Sequence, residues 1–232
     1  MSRYSAIRKA ALQANVRLPE LGLVLFTFGN VSAADRDLGV FAIKPSGVSY
    51  ADLTPDDMVI VDFDGITVEG KLRPSSDTLT HAVLYKHWDI GGIVHTHSTY
   101  ATAWAQAQRD IPIYGTTHAD YLNCDIPCAP AMEDNMIMGN YEYETGFQIM
   151  DCLYKKGLSH EEVEMILVGN HGPFTWGRSP EKAVYNSAVL EELARMAFLS
   201  EQIQPGLSRM KTSLIRKHYE RKHGPGSYYG QK

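Results

Sequence analysis

Gly91-Gly92-Ile93-Val94-His95-Thr96-His97-Ser98 is an apolar run that ends in two histidines separated by one residue. Side chains alternate across an extended strand, so His95 and His97 project from the same face. Neutral imidazole is a good ligand for zinc and other borderline transition metals, and two at the end of a buried strand supply half of a tetrahedral set. A polar strand end at the surface reads the same letters equally well. The rest of the chain has to separate the two.

A second apolar run, Met165-Ile166-Leu167-Val168, reads as another buried strand and also leads to a histidine, in Gly169-Asn170-His171-Gly172-Pro173. Two strands that both end in histidine beside glycine favour a three-histidine metal site over structural histidines.

Upstream, the predicted strand Val40 to Ile43 delivers Lys44-Pro45-Ser46-Gly47. A charge, a fixed backbone, a hydroxyl and a residue that lets a ligand approach the main chain together suit a phosphate. Arg73-Pro74-Ser75-Ser76-Asp77 precedes Leu79, Val83 and Leu84, the apolar face of a helix. Here a helix cap with an acidic residue complementing the dipole competes with an anion site at the same N-terminus. Leu23 to Phe28 is an apolar run rich in strand formers, and Gly29-Asn30 after it predicts a turn with exposed N–H groups.

Elsewhere the spacing predicts a helix over 4–17 that stops before Pro19, and a hairpin from Met58 to Asp62 and Ile66 to Val68. A helix from Tyr100 to Ala107 is followed by a short extended piece from Ile111 to Gly115. Thr116 to Asp120 reads as a polar loop whose Asp120 is a turn residue or a catalytic carboxylate. A helix runs from Tyr141 toward Lys156 and stops at Gly157, its acidic residues serving as dipole partners. The longest helix, Pro180 to Glu201, is capped by Ser179, and a basic helix covers Leu214 to Arg221. The basic residues from Arg216 to His223 read as a solvated face or a contact to a neighbouring subunit. No repeat or linker divides residues 1–232, which read as one domain.

The chain has 232 residues, 44% of them hydrophobic, and a formal charge of −5 with signs interspersed. Nucleic acid is not favoured, so any anion must be held locally. Cys124, Cys128 and Cys152 cannot close a disulfide set and read as packed small residues in a reducing compartment. With neither a secretory h-region nor an apolar stretch of ~20 residues, a cytoplasmic protein with no membrane contact is expected.

The motifs Gly29-Asn30-Val31-Ser32, Lys44-Pro45-Ser46-Gly47, Pro74-Ser75-Ser76-Asp77, His95-Thr96-His97, Gly115 to Asp120, His171-Gly172-Pro173 and Tyr228-Tyr229-Gly230-Gln231 resemble the class II aldolase and L-ribulose-5-phosphate 4-epimerase family end to end. Within it, the chain is most similar to bacterial epimerases, including those of L-arabinose and L-ascorbate catabolism. The resemblance implies a three-layer α/β/α fold with a mostly antiparallel central sheet, and a homotetramer with active sites at subunit interfaces. It implies one Zn2+ per chain on His95, His97 and His171, with Asp77 as a fourth residue at or near the metal. Gly29, Asn30, Lys44, Ser46, Gly47, Ser75 and Ser76 match positions that hold a phosphorylated ketopentose, mainly by its phosphate. Asp120 and Tyr229 match the acid/base pair, with Tyr229 reaching in from an adjacent subunit.

The implied reaction inverts C4 of L-ribulose 5-phosphate by breaking and remaking the C3–C4 bond. The nearest rival is a sugar-phosphate aldolase, whose fuculose-phosphate pattern carries glutamate where this chain has Asp77. A zinc-dependent hydrolase would leave the phosphate loops unexplained, and a non-enzymatic structural protein accounts for none of the three groups of motifs.

Overall fold

The computed structural model describes residues 2–224, 226 and 227. Its strands are β1 (Asn30–Asp35), β2 (Val40–Ile43), β3 (Val59–Asp62), β4 (Thr67–Glu69), β5 (Gly92–His95), β6 (Cys128–Ala129), β7 (Met165–Val168) and β8 (Gly172–Gly177). They form one eight-stranded sheet in the order β4-β3-β2-β1-β5-β8-β7-β6, antiparallel except where β6 joins β7. The helices are α1 (Ser5–Glu20), α2 (Thr78–His87), α3 (Thr99–Gln106), α4 (Thr116–Ala119), α5 (Asp134–Ile137), α6 (Tyr141–Lys155), α7 (Pro180–Ile203) and α8 (Thr212–His223).

Strand alternation assigns the layers. Val31 and Ala33 of β1 share a face with Val94 of β5, and this face packs on Ile7, Ala11 and Leu18 of α1 and Ala183 and Val184 of α7. The other face carries Phe41, Ile93, Phe174 and Trp176 against Leu84 and Tyr85 of α2 and Ile149 of α6. A three-layer α/β/α sandwich results. Apolar residues fill both faces of the central strands, so β5 and β7 read as continuous hydrophobic runs.

Fully buried Asn15 fastens α1 to the sheet. Its Nδ2 donates to the Ala11 and Val31 carbonyls at 2.8 Å each, and its Oδ1 accepts from the Val31 N–H at 2.9 Å. Asn15→Ala would strand both main-chain groups of Val31 and is expected to cost about 2–4 kcal/mol. Denaturant midpoints measure this; a loss below about 1 kcal/mol would mean that Val31 finds other partners.

Several local expectations are corrected. The first helix does not stop before Pro19, which lies in its last turn; the ring forgoes a single hydrogen bond there, and Gly22 at φ +68° ends the helix. Leu23 to Phe28 is not a strand. Phe26 at φ +52° and Gly29 at φ +81° break any extended run, and Leu25, Phe26 and Phe28 are exposed. Thr116–Ala119 is a turn of helix rather than a loop, with Asp120 at its C-terminal cap. Strand β8 follows His171 after a tight turn; its Gly-Pro start carries no strand signal of its own.

Candidate active site

The site lies where β1, β5 and β8 end side by side. The register sets His95 between Asn30 and Phe174, on the face covered by α2. The His95 ring stacks on Phe174 at 4.3 Å, and its Nδ1 lies 3.0 Å from the Pro173 carbonyl. A carbonyl only accepts, so Nδ1 donates there and Nε2 is the ring atom left to face the site. That Nε2 faces the Nε2 of His97 at 3.1 Å. His171 enters from the β7–β8 turn, where Asn170 takes the left-handed backbone at φ +61°, and the ligand atoms of the three histidines lie within 4.8 Å of one another. Two glycines permit this crowding: a Cβ on Gly29 would come within 2.7 Å of the His95 carbonyl, and one on Gly172 within 2.8 Å of the Thr96 carbonyl.

Burial, then the neighbouring His95, lowers the pKa of His97 and brings His171 down to about 3. Ring nitrogens converging at this spacing must share either a proton or a cation. Tetrahedral zinc with bonds of 2.0–2.1 Å holds ligand nitrogens about 3.3 Å apart, so the triangle fits a metal ion.

Asp77 lies close enough to this triangle for His95 and His171 to act on its charge. Its Oδ2 accepts from Asn30 Nδ2 at 2.6 Å and from Ser75 Oγ at 3.3 Å, and its side chain makes no cap bond to α2. The carboxylate is thus turned from helix capping toward the site. Burial pushes its pKa up, but His95, His81 and His171 and the Asn30 hydrogen bond outweigh this and hold it low. Behind it, Tyr85, Ser32 and fully buried His81 form a hydrogen-bonded chain, with burial bringing His81 down to about 3. Sequence reasoning missed His81.

The two loops suited to phosphate are joined edge to edge. Ser46 N donates to the Arg73 carbonyl and Ser75 N to the Lys44 carbonyl, both at 3.0 Å, and Pro45 bridges to Pro74. Lys44, Ser46, Gly47, Ser75 and Ser76 therefore cluster, and Asn30 Nδ2, 3.0 Å from Ser75 Oγ, connects them to the histidines. Gly47 adopts φ +71° on the exposed side. Lys44 is buried over the Tyr50 ring at 4.9 Å, and burial lowers its pKa to about 8.

Asp120 lies in a separate cluster. Arg221 donates to both carboxylate oxygens at 2.8 Å, His218 Nδ1 lies 3.0 Å away and Lys222 Nζ 3.6 Å away. Burial raises its pKa, but the hydrogen bonds from Arg221 and His218 and the charges of Lys222 and Arg221 prevail and hold it low. Part of the basic face of α8 is therefore turned inward onto Asp120. Among the described residues, no hydrogen bond or ion pair links Asp120 to His95, His97 or His171. Tyr229 lies outside the described residues.

The family described as class II aldolase and adducin N-terminal domain matches residues 9–198, which include the histidine triangle, both loops and Asp120. The chain belongs to that family. Among curated class II aldolase family relatives, the L-ribulose-5-phosphate 4-epimerase UlaF of Salmonella typhi is 52% identical over 227 residues, covering 97% of this chain and 99% of its own. The protein of the same name from Salmonella paratyphi B is 51% identical over the same shares. Among solved structures, an L-fuculose 1-phosphate aldolase superposes with a TM-score of 0.76 at 23% identity, over 93% of this chain and 95% of its own. Shared class II aldolase architecture is what that last likeness establishes. No helix among the described residues is long and apolar enough to cross a membrane.

Proposed function

We propose that this class II aldolase family member is a zinc-dependent L-ribulose-5-phosphate 4-epimerase, forming D-xylulose 5-phosphate in cytoplasmic pentose or ascorbate catabolism. The observation that carries the reading is 52% identity across 97% of the chain to relatives of that name. The arrangement of the site supports it, because a metal-competent triangle adjoins two loops suited to phosphate through Asn30 and Asp77.

The hydrogen on C4 of the substrate is not acidic, so inversion there requires breaking a carbon–carbon bond. An acid/base residue removes the C4 hydroxyl proton, the C4 oxygen becomes an aldehyde and the C3–C4 electron pair passes toward the C2 carbonyl. The fragments are the enediolate of dihydroxyacetone and glycolaldehyde phosphate. Rotation of the aldehyde and re-addition to its other face give the epimer. A zinc ion on His95, His97 and His171 would supply Lewis acidity to the ketose oxygens. Lys44, Ser46, Gly47, Ser75 and Ser76 hold the phosphate and prevent the aldehyde from leaving. Asp120 enters as the ionised partner and Tyr229 as the protonated one, the role suited to a tyrosine, whose unperturbed pKa is ~10.

A homotetramer with sites at its interfaces belongs to the same proposal. Asp120 and the histidines occupy separate clusters in one chain, as a site completed by a neighbouring subunit requires. Phe28 lies beside the triangle, its ring 6.4 Å from His97, and together with exposed Leu25 and Phe26 it supplies apolar surface for that contact.

Incubation with L-ribulose 5-phosphate should yield D-xylulose 5-phosphate without free fragments. Persistent release of dihydroxyacetone and glycolaldehyde phosphate would instead assign an aldolase. The pH dependence adds a check on the phosphate grip: Lys44 is charged below its pKa of about 8 and neutral above it. Accordingly, kcat/KM should fall roughly tenfold per pH unit above about 8. A flat profile to about pH 9.5 would remove Lys44 from phosphate binding.

A further inference from the structure

We propose that Tyr141 is a positioning residue for the metal centre, its hydroxyl oxygen accepting the Nδ1 proton of His171 and so aiming Nε2 of that ring at the other two histidines. The proposal rests on reading the triangle as a metal site. Tyr141 opens α6, and its hydroxyl lies 3.2 Å from His171 Nδ1.

The chemistry of a ligand fixes the direction of this bond. A neutral imidazole that offers Nε2 to a metal carries its proton on Nδ1, so Nδ1 donates and the tyrosine oxygen accepts. His95 has the same support from the Pro173 carbonyl, which belongs to the sheet's own backbone. His171 sits in a turn after the left-handed Asn170, and its ring nitrogen relies on a side chain. Its aim therefore depends on where α6 is docked.

That docking is well determined. α6 lies close against α2 because Gly146 has no side chain; a Cβ there would come within 2.7 Å of the Val83 side chain. Thr80 Oγ1 of α2 donates to the Glu142 carbonyl at 2.6 Å, and Thr145 Oγ1 donates to the Tyr141 carbonyl at 2.8 Å. The helix that begins beside Asp77 thus holds the residue that orients His171. With its oxygen used as an acceptor, Tyr141 keeps its own hydroxyl proton for a ligand oxygen.

Competition between the whole protein and a fluorescent zinc chelator tests this in wild type, Tyr141→Phe and Tyr143→Phe. Tyr143 is an exposed tyrosine two residues along the same helix, packed on Phe147. Tyr141→Phe should bind zinc about 10–100-fold more weakly. Its metal-free melting temperature should match wild type, and excess zinc should restore much of its turnover. Tyr143→Phe should bind zinc as wild type does. Equal zinc affinity in wild type and Tyr141→Phe would overturn the proposal, as would an equal loss in Tyr143→Phe. A wild-type protein that takes up no zinc would instead sink the metal centre itself.

Discussion

His97→Ala is expected to leave the fold intact while abolishing zinc retention and lowering epimerisation by about a thousandfold or more. His97 is the exposed member of the triangle, whereas His95 is buried against Phe174. Removing its ring opens no core cavity, so the change in stability of the metal-free protein should stay within about 0.5 kcal/mol. The catalytic loss follows from what the ring does. Lewis-acid stabilisation of a developing oxyanion contributes several kcal/mol, and each 1.36 kcal/mol is tenfold in rate. Elemental analysis and steady-state kinetics on the same preparation check both halves. Wild-type zinc content in the variant would take His97 out of the ligand set.

Asp120→Asn should behave in the opposite way toward metal. Zinc content is expected to stay at the wild-type level, because among the described residues no hydrogen bond or ion pair joins Asp120 to His95, His97 or His171. Turnover should fall by about a hundred- to ten-thousandfold, the range for removing a positioned acid/base group. The environment sharpens the prediction: Arg221, His218 and Lys222 keep this carboxylate ionised, and an amide of nearly the same shape cannot take a proton in its place. Near-normal turnover in Asp120→Asn would refute its catalytic role and leave it a structural anchor for α8.

Much of the candidate site was legible in local sequence. An apolar run ending in His-x-His fixes both rings on one face, and the strand ending near His171 repeats the signal. The loops around Lys44 and Ser75 were recognisable from residue chemistry alone. The misreadings have one cause, since apolarity and turn residues report burial or bending without naming the partner. Leu25, Phe26 and Phe28 are apolar yet exposed, and the reading of Leu23 to Phe28 as a strand failed because left-handed backbone at Phe26 and Gly29 interrupts it. Asp77 has the residue type and place of a helix cap, but Asn30, 47 residues earlier in the chain, claims its carboxylate.

By itself the sequence determined the apolar runs that bury both faces of β5 and β7 and the placement of histidines, with glycine nearby, at the ends of those runs. These depend on the backbone within a few residues. Tertiary structure alone decided that Asn30 and His95 are register partners, that Asp120 is held by residues 98 and 101 positions away, and that Tyr141 of α6 meets His171. Strand order and helix docking bring these groups together, and both are set by packing between distant segments, which no local period encodes.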